Sequence, residues 1–391
     1  MKNQTIDDVP PGPGDSVAAF PVAEISGDAY ERGFQLGKAS KKRVLRSLQN
    51  YQTMFNTCDI TWKQAGEVGL ACLEPARELL PEVVIELEGL AAGADVDLAS
   101  IAALNARTEI LPANYLEKAS GIPSANLADN GILNECTALS LSLTGEHNRE
   151  VWLAQNWDWL GLQREALVVV RAGNSDDSSR YLTVSEAGML AKIGINHHGF
   201  GITLNILRSA DDGQTSGLPV HLFLRGLLEC KNVSEAKALA SKAQFASSSN
   251  VLVADKSGAM ASIEICPSGA KFIEVDSATA QSDQWLCHTN HFLHGELTGR
   301  DAGLKGNIST ESRLQTALDS AGAIKGMRDI ENLLSDTSAG LQSICRFADE
   351  SLPVAARIET VCAVVMNMNS AELWTTAAQP SISPYVKHAL H

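Results

Sequence analysis

The chain has 391 residues, of which 45% are hydrophobic and 20% are charged. This composition is typical of globular proteins and is sufficient for a large core and for about two or three domains. The formal net charge of -15 repels phosphate backbones and anionic membrane surfaces. The charge therefore disfavours a nucleic-acid-binding or peripheral-membrane protein.

The start of the chain and its cysteines indicate the compartment. Residues 1–18 are rich in Pro, Gly and Asp, lack the apolar segment of a secretory signal and are expected to form a flexible leader. No apolar run approaches the roughly 18 residues of a membrane span. The eight cysteines include no C-x-x-C pair, so a cytoplasmic protein without a metal or other cofactor is expected.

The first third of the chain is dominated by helical periodicity. The apolar spacing predicts a short strand at residues 20–25, then a helix over residues 28–55. A second helical region is predicted over residues 65–92, interrupted near Pro81. A third begins after Asp97, whose side chain suits a helix cap. Residues 19–135 are therefore predicted to form a helical N-terminal segment.

The pattern changes after residue 136 to short β-prone runs separated by turn residues. An antiparallel meander is predicted from the first six runs, at residues 137–142, 150–157, 166–172, 180–186, 191–196 and 201–207. Further helices are predicted at residues 218–230, 233–242, 309–320 and 327–334, and further strands at residues 250–255, 260–266, 271–275, 358–367 and 372–376. This order predicts an α+β fold with layered sheets, in one globular unit.

The stretch from residue 129 to residue 161 carries the clearest chemical signal. It reads DNGILNECTALSLSLTGEHNREVWLAQNWDWLG. Cys136 opens a strand directly after a polar segment, and Asp158 follows the next predicted strand. A hairpin of these two strands would return Asp158 to the start of the first one, beside Cys136.

Five short motifs in order resemble one known family. They are residues 105–109 (NARTE), 135–137 (ECT), 155–159 (QNWDW), 288–292 (HTNHF) and 309–313 (STESR). With them the chain resembles, from residue 25 to residue 374, the acyl-coenzyme A:6-aminopenicillanic acid acyltransferase family (peptidase family C45). The bile-salt and penicillin V hydrolases are more distantly similar. The resemblance implies a four-layer αββα sandwich of the N-terminal nucleophile hydrolase type.

The resemblance also implies a self-processing cysteine enzyme. In that scheme the Cys136 thiolate attacks the carbonyl of Glu135, an N-to-S acyl shift gives a thioester, and water releases a new N-terminus. The freed α-amino group has a reference pKa near 8 and can act as the base for its own side chain. Cys136 is thus expected to be both the processing residue and the nucleophile.

Further roles follow from positions in the family pattern. The resemblance implies that Asp158 holds the amine of the nucleophile, and that Arg313 pairs with Asp158. Asn250 would donate its side-chain amide to the oxyanion, a contribution typically worth about 3 kcal/mol. Asn205 and Thr137 are assigned to the oxyanion or to substrate contact.

Departures from the family pattern leave the substrate open. Gln155 stands where the bile-salt hydrolases have an Arg, which argues against bile-salt chemistry. Glu135 stands where the penicillin acyltransferase has Gly. The chain has Asp336-Thr337 and residues 345–347 (CRF) where many relatives have Asp-His and Cys-Arg-His.

Each candidate also has a structural alternative. Cys136 can be a buried structural thiol, Asp158 a turn cap, Asn250 or Asn205 a strand or turn residue, and Arg313 a surface ion-pair residue worth little to stability. His288 and His291 lack a suitably spaced carboxylate, so a structural or pocket-lining role is expected rather than a metal site.

Three functional hypotheses remain from the sequence. The first is an amidohydrolase that acts on a small non-peptide or N-acyl amide through an acyl-thioester, with an acyl-CoA-dependent N-acyltransferase as its alternative. The second is a papain-like protease that pairs Cys136 with His288 or His291. The third is a non-catalytic binding protein. A small amide or acyl-CoA is the expected partner, without nucleic acid or membrane, and fragments 1–135 and 136–391 are expected to stay associated.

Overall fold

The computed structural model describes residues 19–123, 136–145, 149–173, 179–213, 216–276, 282–303 and 308–390. The predicted leader at residues 1–18 and the predicted cleavage residue Glu135 lie outside this described part of the chain. Within it, none of the helices combines the length and the apolar character needed to cross a membrane.

Helices dominate the region before Cys136, as predicted. Helix α1 (Ala29–Thr57) is capped by Asp28, which accepts a hydrogen bond from the Glu31 N–H while the Glu31 carboxylate accepts one from the Asp28 N–H. Asp97 caps the helix Leu98–Asn105 in the predicted manner. The helices after α1 are α2 (Trp62–Ala71), α3 (Leu73–Leu79), α4 (Pro81–Ala94), α5 (Leu98–Asn105), α6 (Arg107–Ile110) and α7 (Tyr115–Ser120).

Helices α1 and α4 cross at very short range. A Cβ atom added to Gly33 of α1 would lie 1.8 Å from the backbone oxygen of Glu86, and one added to Gly89 of α4 would lie 2.2 Å from the oxygen of Tyr30. Both glycines are therefore required by the close approach of the two backbones.

The described strands form two sheets. The members of the six-stranded sheet are β2 (Cys136–Thr144), β3 (Arg149–Leu160), β12 (Gln284–His288), β13 (Ile358–Asn367), β14 (Glu372–Thr375) and β15 (Val386–Ala389). Their order across the sheet is β12-β2-β3-β13-β14-β15. Its neighbouring strands are all antiparallel.

The members of the nine-stranded sheet are β1 (Val22–Ile25), β4 (Leu167–Ala172), β5 (Tyr181–Glu186), β6 (Ile193–Asn196), β7 (Phe200–Ile202), β8 (Asn205–Ile206), β9 (Ser249–Asp255), β10 (Ala259–Cys266) and β11 (Gly269–Asp276). Their order across the sheet is β1-β4-β5-β6-β7-β9-β10-β11, with β8 beside β9. Strand β1 comes from the N-terminal segment and pairs in parallel with β4.

The two sheets pack face to face between two helical layers. Leu153 and Trp157 of one sheet share a core with Ile195 and Val253 of the other. The outer face of the nine-stranded sheet is covered by α1, α4, α8 (Val220–Leu227) and α9 (Val233–Lys242), and that of the six-stranded sheet by α10 (Ile308–Ala321) and α11 (Met327–Leu334). The predicted α+β class and the four-layer αββα architecture are confirmed.

The prediction of a single meander over residues 137–207 is wrong. Strands β2 and β3 belong to the six-stranded sheet, whereas β4, β5, β6 and β7 belong to the nine-stranded one. The 3-10 segment Gly161–Ala166 carries the chain from one sheet to the other. Strands in both sheets are buried on both faces, so their apolar pattern does not reveal the change of sheet.

Candidate active site

Cys136 is the first residue of β2 and lies beside the end of β3. It pairs with Trp157 in an antiparallel register, as the predicted hairpin requires. The Cys136 side chain is buried, and its Sγ lies 3.8 Å from the backbone oxygen of Asp158. The predicted proximity of Cys136 and Asp158 is confirmed, but the described contact of Sγ is with the backbone of Asp158.

The backbone of Cys136 is held on both sides. Its N–H donates to Asn290 Oδ1 at 2.7 Å. Its carbonyl oxygen accepts from Arg313 Nη1 at 2.8 Å and from Asn205 Nδ2 at 3.2 Å. These three side chains fix the position of the residue from β8, from α10 and from the segment that follows β12.

Arg313 is fully buried although it lies on a helix that covers the outside of the sheet. Besides the Cys136 carbonyl it binds Thr137 Oγ1 at 2.9 Å and Asn290 Oδ1 at 3.2 Å. Its Nε also donates to Ser309 Oγ at 3.2 Å. The pairing of Arg313 with Asp158 that the sequence suggests stays a prediction. Asp158 Oδ1 accepts a hydrogen bond from Thr360 Oγ1 at 2.7 Å.

Asn250 contacts the site through a second asparagine. Its Nδ2 donates to Asn205 Oδ1 at 3.1 Å, and its Oδ1 accepts from Ser262 Oγ at 2.6 Å. Asn205 in turn donates to the carbonyl oxygen of Cys136. All of these groups are buried. The two predicted asparagines are thus brought together in one chain of hydrogen bonds that ends at Cys136.

The charges around Cys136 act on its thiol in opposite directions. Burial raises the pKa of the Cys136 thiol, and the negative charge of Asp158 adds to that rise. The positive charges of Lys192 and Arg313 oppose it. Formation of the thiolate at neutral pH would therefore require a positive charge or a base close to Sγ.

Lys192 is a site residue that the sequence did not predict. Its side chain is 3% exposed, and its ammonium nitrogen lies 3.5 Å from the centre of the Trp157 indole ring. Glu186 Oε2 lies 3.9 Å from the same nitrogen. Burial, together with the positive charge of Arg107, lowers the pKa of Lys192 to about 7, despite the negative charge of Glu186.

The NARTE motif places two charged residues in the same buried region. Arg107 stacks on the ring of Trp159 at 4.7 Å and lies 3.4 Å from Glu186. Glu109 accepts from Ser247 Oγ at 2.7 Å and from a backbone N–H at the start of α8. Burial raises the pKa of the Glu109 carboxyl group despite these bonds.

The histidines of residues 288–292 have partners of their own. His288 contacts Glu264 at 2.9 Å and the backbone oxygen of Thr289 at 2.8 Å. His291 Nδ1 lies 2.9 Å from Thr310 Oγ1. Burial lowers the pKa of His291 to about 4. Their described bonds do not reach the Cys136 thiol, and the described part of the chain has no cluster of three or more His, Cys, Asp or Glu suited to a metal ion.

The family model of acyl-coenzyme A:6-aminopenicillanic acid acyl-transferase matches residues 144–381, more than half of the chain. The chain belongs to this family. The matched range includes Asp158, Asn205, Asn250 and Arg313, and it begins after Cys136. Membership supports an enzyme that transfers acyl groups or hydrolyses amides.

A curated relative is similar over most of its length. It is the acyl-coenzyme A:6-aminopenicillanic-acid-acyltransferase 40 kDa form of Emericella nidulans, 26% identical over 324 residues. The match covers 82% of this chain and 83% of the relative.

Solved structures include more distant likenesses. An N-acylethanolamine-hydrolyzing acid amidase ortholog from Caenorhabditis elegans is 16% identical, with a TM-score of 0.41, over 58% of this chain and 92% of that one. A penicillin V acylase from Agrobacterium tumefaciens is 15% identical, with a TM-score of 0.40, over 62% of this chain and 83% of that one.

Proposed function

We propose that this protein is a self-processing cysteine amidohydrolase whose nucleophile, Cys136, becomes N-terminal after cleavage of the Glu135–Cys136 bond. The substrate is a small non-peptide or N-acyl amide, and the reaction passes through an acyl-thioester on Sγ. The observation that carries the proposal is the fixed backbone of Cys136 at the start of β2, next to a buried thiol.

The backbone nitrogen of Cys136 is the proposed base of the processed enzyme. This atom lies 2.7 Å from Asn290 Oδ1. After cleavage it would be a primary amine, which can donate to Asn290 and still present a lone pair to its own thiol. An α-amino group with a pKa near 8 is well matched to proton transfer at neutral pH.

The precursor step is an intramolecular acyl transfer. The Cys136 thiolate would attack the Glu135 carbonyl carbon, forming a C–S bond as the C–N bond breaks, and the Cys136 nitrogen would take up a proton. Water would then hydrolyse the thioester and return the thiol. Catalysis on a substrate amide would repeat these steps with an external acyl group.

The two fragments are proposed to stay together after cleavage. Strand β1 of the first fragment forms a parallel edge of the second fragment's sheet through its pairing with β4. Glu86 of the first fragment forms a buried ion pair with Arg225 of the second. Separation of the fragments under native conditions would contradict this part of the proposal.

Acyl transfer to an amine is the second candidate, because the curated relative is named as an acyltransferase. The same acyl-thioester would then be resolved by an amine rather than by water. A panel of N-acyl amides and acyl-CoA donors, assayed with and without amine acceptors, separates the two. Hydrolysis predicts free acid in both conditions, whereas transfer predicts a new amide that forms only with the acceptor.

The mass of the purified protein tests the processing step. The wild type is expected to give two fragments, the second beginning with a free Cys136, and Cys136→Ala is expected to give one uncut chain. Cys362→Ala is the matched control, because Cys362 is also buried and also pairs with Trp157, on its other side. Its processing should equal that of the wild type. An uncut wild-type chain would contradict the proposed cleavage.

A further inference from the structure

Self-cleavage must begin without the base that serves the mature enzyme. Before cleavage the nitrogen of Cys136 is part of a peptide bond, so it has no lone pair available to accept a proton. The α-amino group that serves the mature enzyme does not yet exist. The uncut chain therefore needs another acceptor for the proton of the Cys136 thiol.

The described hydrogen-bond partner of Sγ is not a base. The described contact of Sγ is with the backbone oxygen of Asp158, which does not accept a proton at neutral pH. The carboxylate of Asp158 accepts from Thr360. The described bonds of His288 and His291 go to Glu264, Thr289 and Thr310.

Lys192 lies on the face of the six-stranded sheet to which the Cys136 side chain projects. Cys136 and Trp157 are directly opposite each other on β2 and β3, so their side chains project on the same side. The ammonium group of Lys192 lies over the Trp157 ring at 3.5 Å. Lys192 is thereby held against the immediate cross-strand neighbour of the nucleophile, between the two sheets.

We propose that Lys192 accepts the proton of the Cys136 thiol in the uncut chain and so generates the thiolate for self-cleavage. The proton moves from Sγ to Nζ, directly or through one water, and a neutral thiol–amine pair becomes a thiolate–ammonium pair. No other reactant is consumed. This role rests on the proposed self-processing and assigns its first proton transfer.

The surroundings of Lys192 suit a group that changes charge. The titratable and charged groups that face it come from five elements, and they are Glu186 of β5, Arg107 of α6, His221 of α8, Cys136 of β2 and Cys362 of β13. Burial and Arg107 favour the neutral amine, whereas Glu186 and a thiolate at Cys136 favour the ammonium. With a pKa lowered to about 7, the amine is available as a base at neutral pH.

The lysine has a role only in the precursor step. Once the α-amino group of Cys136 is free, it lies on the nucleophile itself and replaces Lys192 as the base. Loss of Lys192 should therefore affect cleavage far more than turnover by enzyme that has already been cut.

The test compares the rate of self-cleavage in four full-length chains, namely the wild type, Lys192→Met, Lys192→Arg and a control variant. The chains are made by pulse-labelled cell-free synthesis, and their cleavage is then followed at a series of pH values from neutral to alkaline. Lys192→Met should slow cleavage at neutral pH by at least about 100-fold, the usual contribution of a general base. It should also move the onset of cleavage to higher pH, because burial raises the pKa of the remaining thiol. Lys192→Arg keeps the charge but cannot act as a base, so it should be as slow as Lys192→Met.

The matched control is Lys237→Met. Lys237 also lies over an aromatic ring, that of Phe272 at 5.4 Å, and is paired with Glu274, but it lies on α9. It should cleave at the wild-type rate. Far-ultraviolet circular dichroism and thermal unfolding of each variant show whether it is folded. In the wild type itself, cleavage should rise with pH through the first titration of the lysine–thiol pair.

The outcomes distinguish this inference from the proposed function. If the wild type is cut and Lys192→Met or Lys192→Arg is cut at the same rate, the role of Lys192 is overturned while self-processing stands. If the wild type is not cut, self-processing fails, and the pH at which iodoacetamide alkylates Cys136 in the uncut chains decides the case. A shift to higher pH in Lys192→Met supports the proton transfer, and an unchanged profile overturns it.

Discussion

Two buried clusters of charged side chains in this protein differ in how completely they are paired. The first cluster surrounds Glu86, where Arg225 binds the carboxylate with contacts of 2.8 to 3.1 Å and Tyr181 donates to it at 2.9 Å. Arg32 approaches the same carboxylate at 3.3 Å. This cluster joins α1, α4, α8 and β5.

The second cluster surrounds Glu186 and lies next to the nucleophile. The contacts of Arg107 and Lys192 with Glu186 are longer, at 3.4 and 3.9 Å. Both ring nitrogens of the buried His221 lack a hydrogen-bond partner among the described residues, and so do two nitrogens of Arg107. Tyr51 provides the one short contact to Glu186, at 2.6 Å, in the described part of the chain.

The difference separates a structural role from a reactive one. A buried ion pair offsets its desolvation only when its geometry is good and its remaining donors and acceptors are satisfied. The Glu86 carboxylate and the Arg225 guanidinium meet this condition. A cluster that is left underpaired costs stability and retains groups that can bind a ligand or exchange a proton. The position of the second cluster beside Cys136 supports the second role.

Loss of the Arg225–Glu86 ion pair should have the greatest effect on stability, and it tests the structural role of the first cluster. Arg225→Met should lower the free energy of unfolding by about 3–5 kcal/mol, because it leaves the buried Glu86 carboxylate without its main partner. Urea denaturation of the uncut Cys136→Ala chain measures this. The control Arg46→Ala removes an exposed pair with Glu165 and should cost less than about 1 kcal/mol. Equal effects would mean that pairing around Glu86 does not stabilise the fold.

The next effect concerns the asparagine chain at the nucleophile. Asn205→Ala and Asn250→Ala should each reduce kcat by about 10²–10³-fold, the range for loss of one oxyanion donor. Because Asn250 donates to Asn205, the double variant should be little worse than the poorer single variant. Steady-state kinetics of processed enzyme check this. Multiplicative losses would show that the two side chains act independently.

The pH dependence of the free energy of unfolding tests whether burial of Lys192 in the second cluster destabilises the fold. The pKa of Lys192 is about 7 in the folded protein, against an ordinary value of 10.5. At pH values between these two pKa values, the unfolded chain binds more protons than the folded chain does. The free energy of unfolding of the chain with Lys192 should therefore rise with pH relative to that of Lys192→Met. The expected slope is about 1.4 kcal/mol per pH unit.

Urea denaturation of uncut chains in the Cys136→Ala background, at several pH values in this window, measures the slope. The comparison is between the Cys136→Ala parent and the same chain carrying Lys192→Met as well. A pH-independent difference in the free energy of unfolding between these two chains would show that the lysine is charged throughout or is solvated.

The smallest effect separates the amidohydrolase from a cysteine–histidine protease. His291→Gln should change kcat by much less than the roughly 100-fold loss that removal of a general base causes. The reason is that His291 contacts Thr310 and Thr289, and its pKa of about 4 keeps it neutral. Steady-state kinetics of the processed variant check this, and a loss comparable to that of Cys136→Ala would favour the protease.

Much of the fold was predictable from local signals. Helices Val233–Lys242 and Met327–Leu334 and strand Ile358–Asn367 have the predicted bounds, because each has a clear apolar period and defined ends. Strands Gln284–His288 and Val386–Ala389 were missed. Both lie at the edges of the six-stranded sheet and are too short for a period to be recognised.

The site was predictable only in part. The hairpin predicted that Cys136 and Asp158 lie close together, and the motif of residues 288–292 indicated the segment that holds Asn290. Nothing local in the sequence marks Lys192, because its burial depends on Trp157 of the other sheet. The partners of Arg313 likewise depend on how α10 packs on the sheet, which motif order does not determine.

Trapping the acyl-enzyme tests whether Cys136, with a free α-amino group, is the nucleophile. Purified, processed protein is mixed with a reactive acyl thioester or N-acyl amide, quenched in acid, digested and analysed by mass spectrometry. We expect one acyl group on the Cys136 thiol, in a peptide that begins at Cys136 with a free amine, and none on the other seven cysteines. Product formation with the acyl group on another cysteine, or with Cys136→Ala still active, would contradict it.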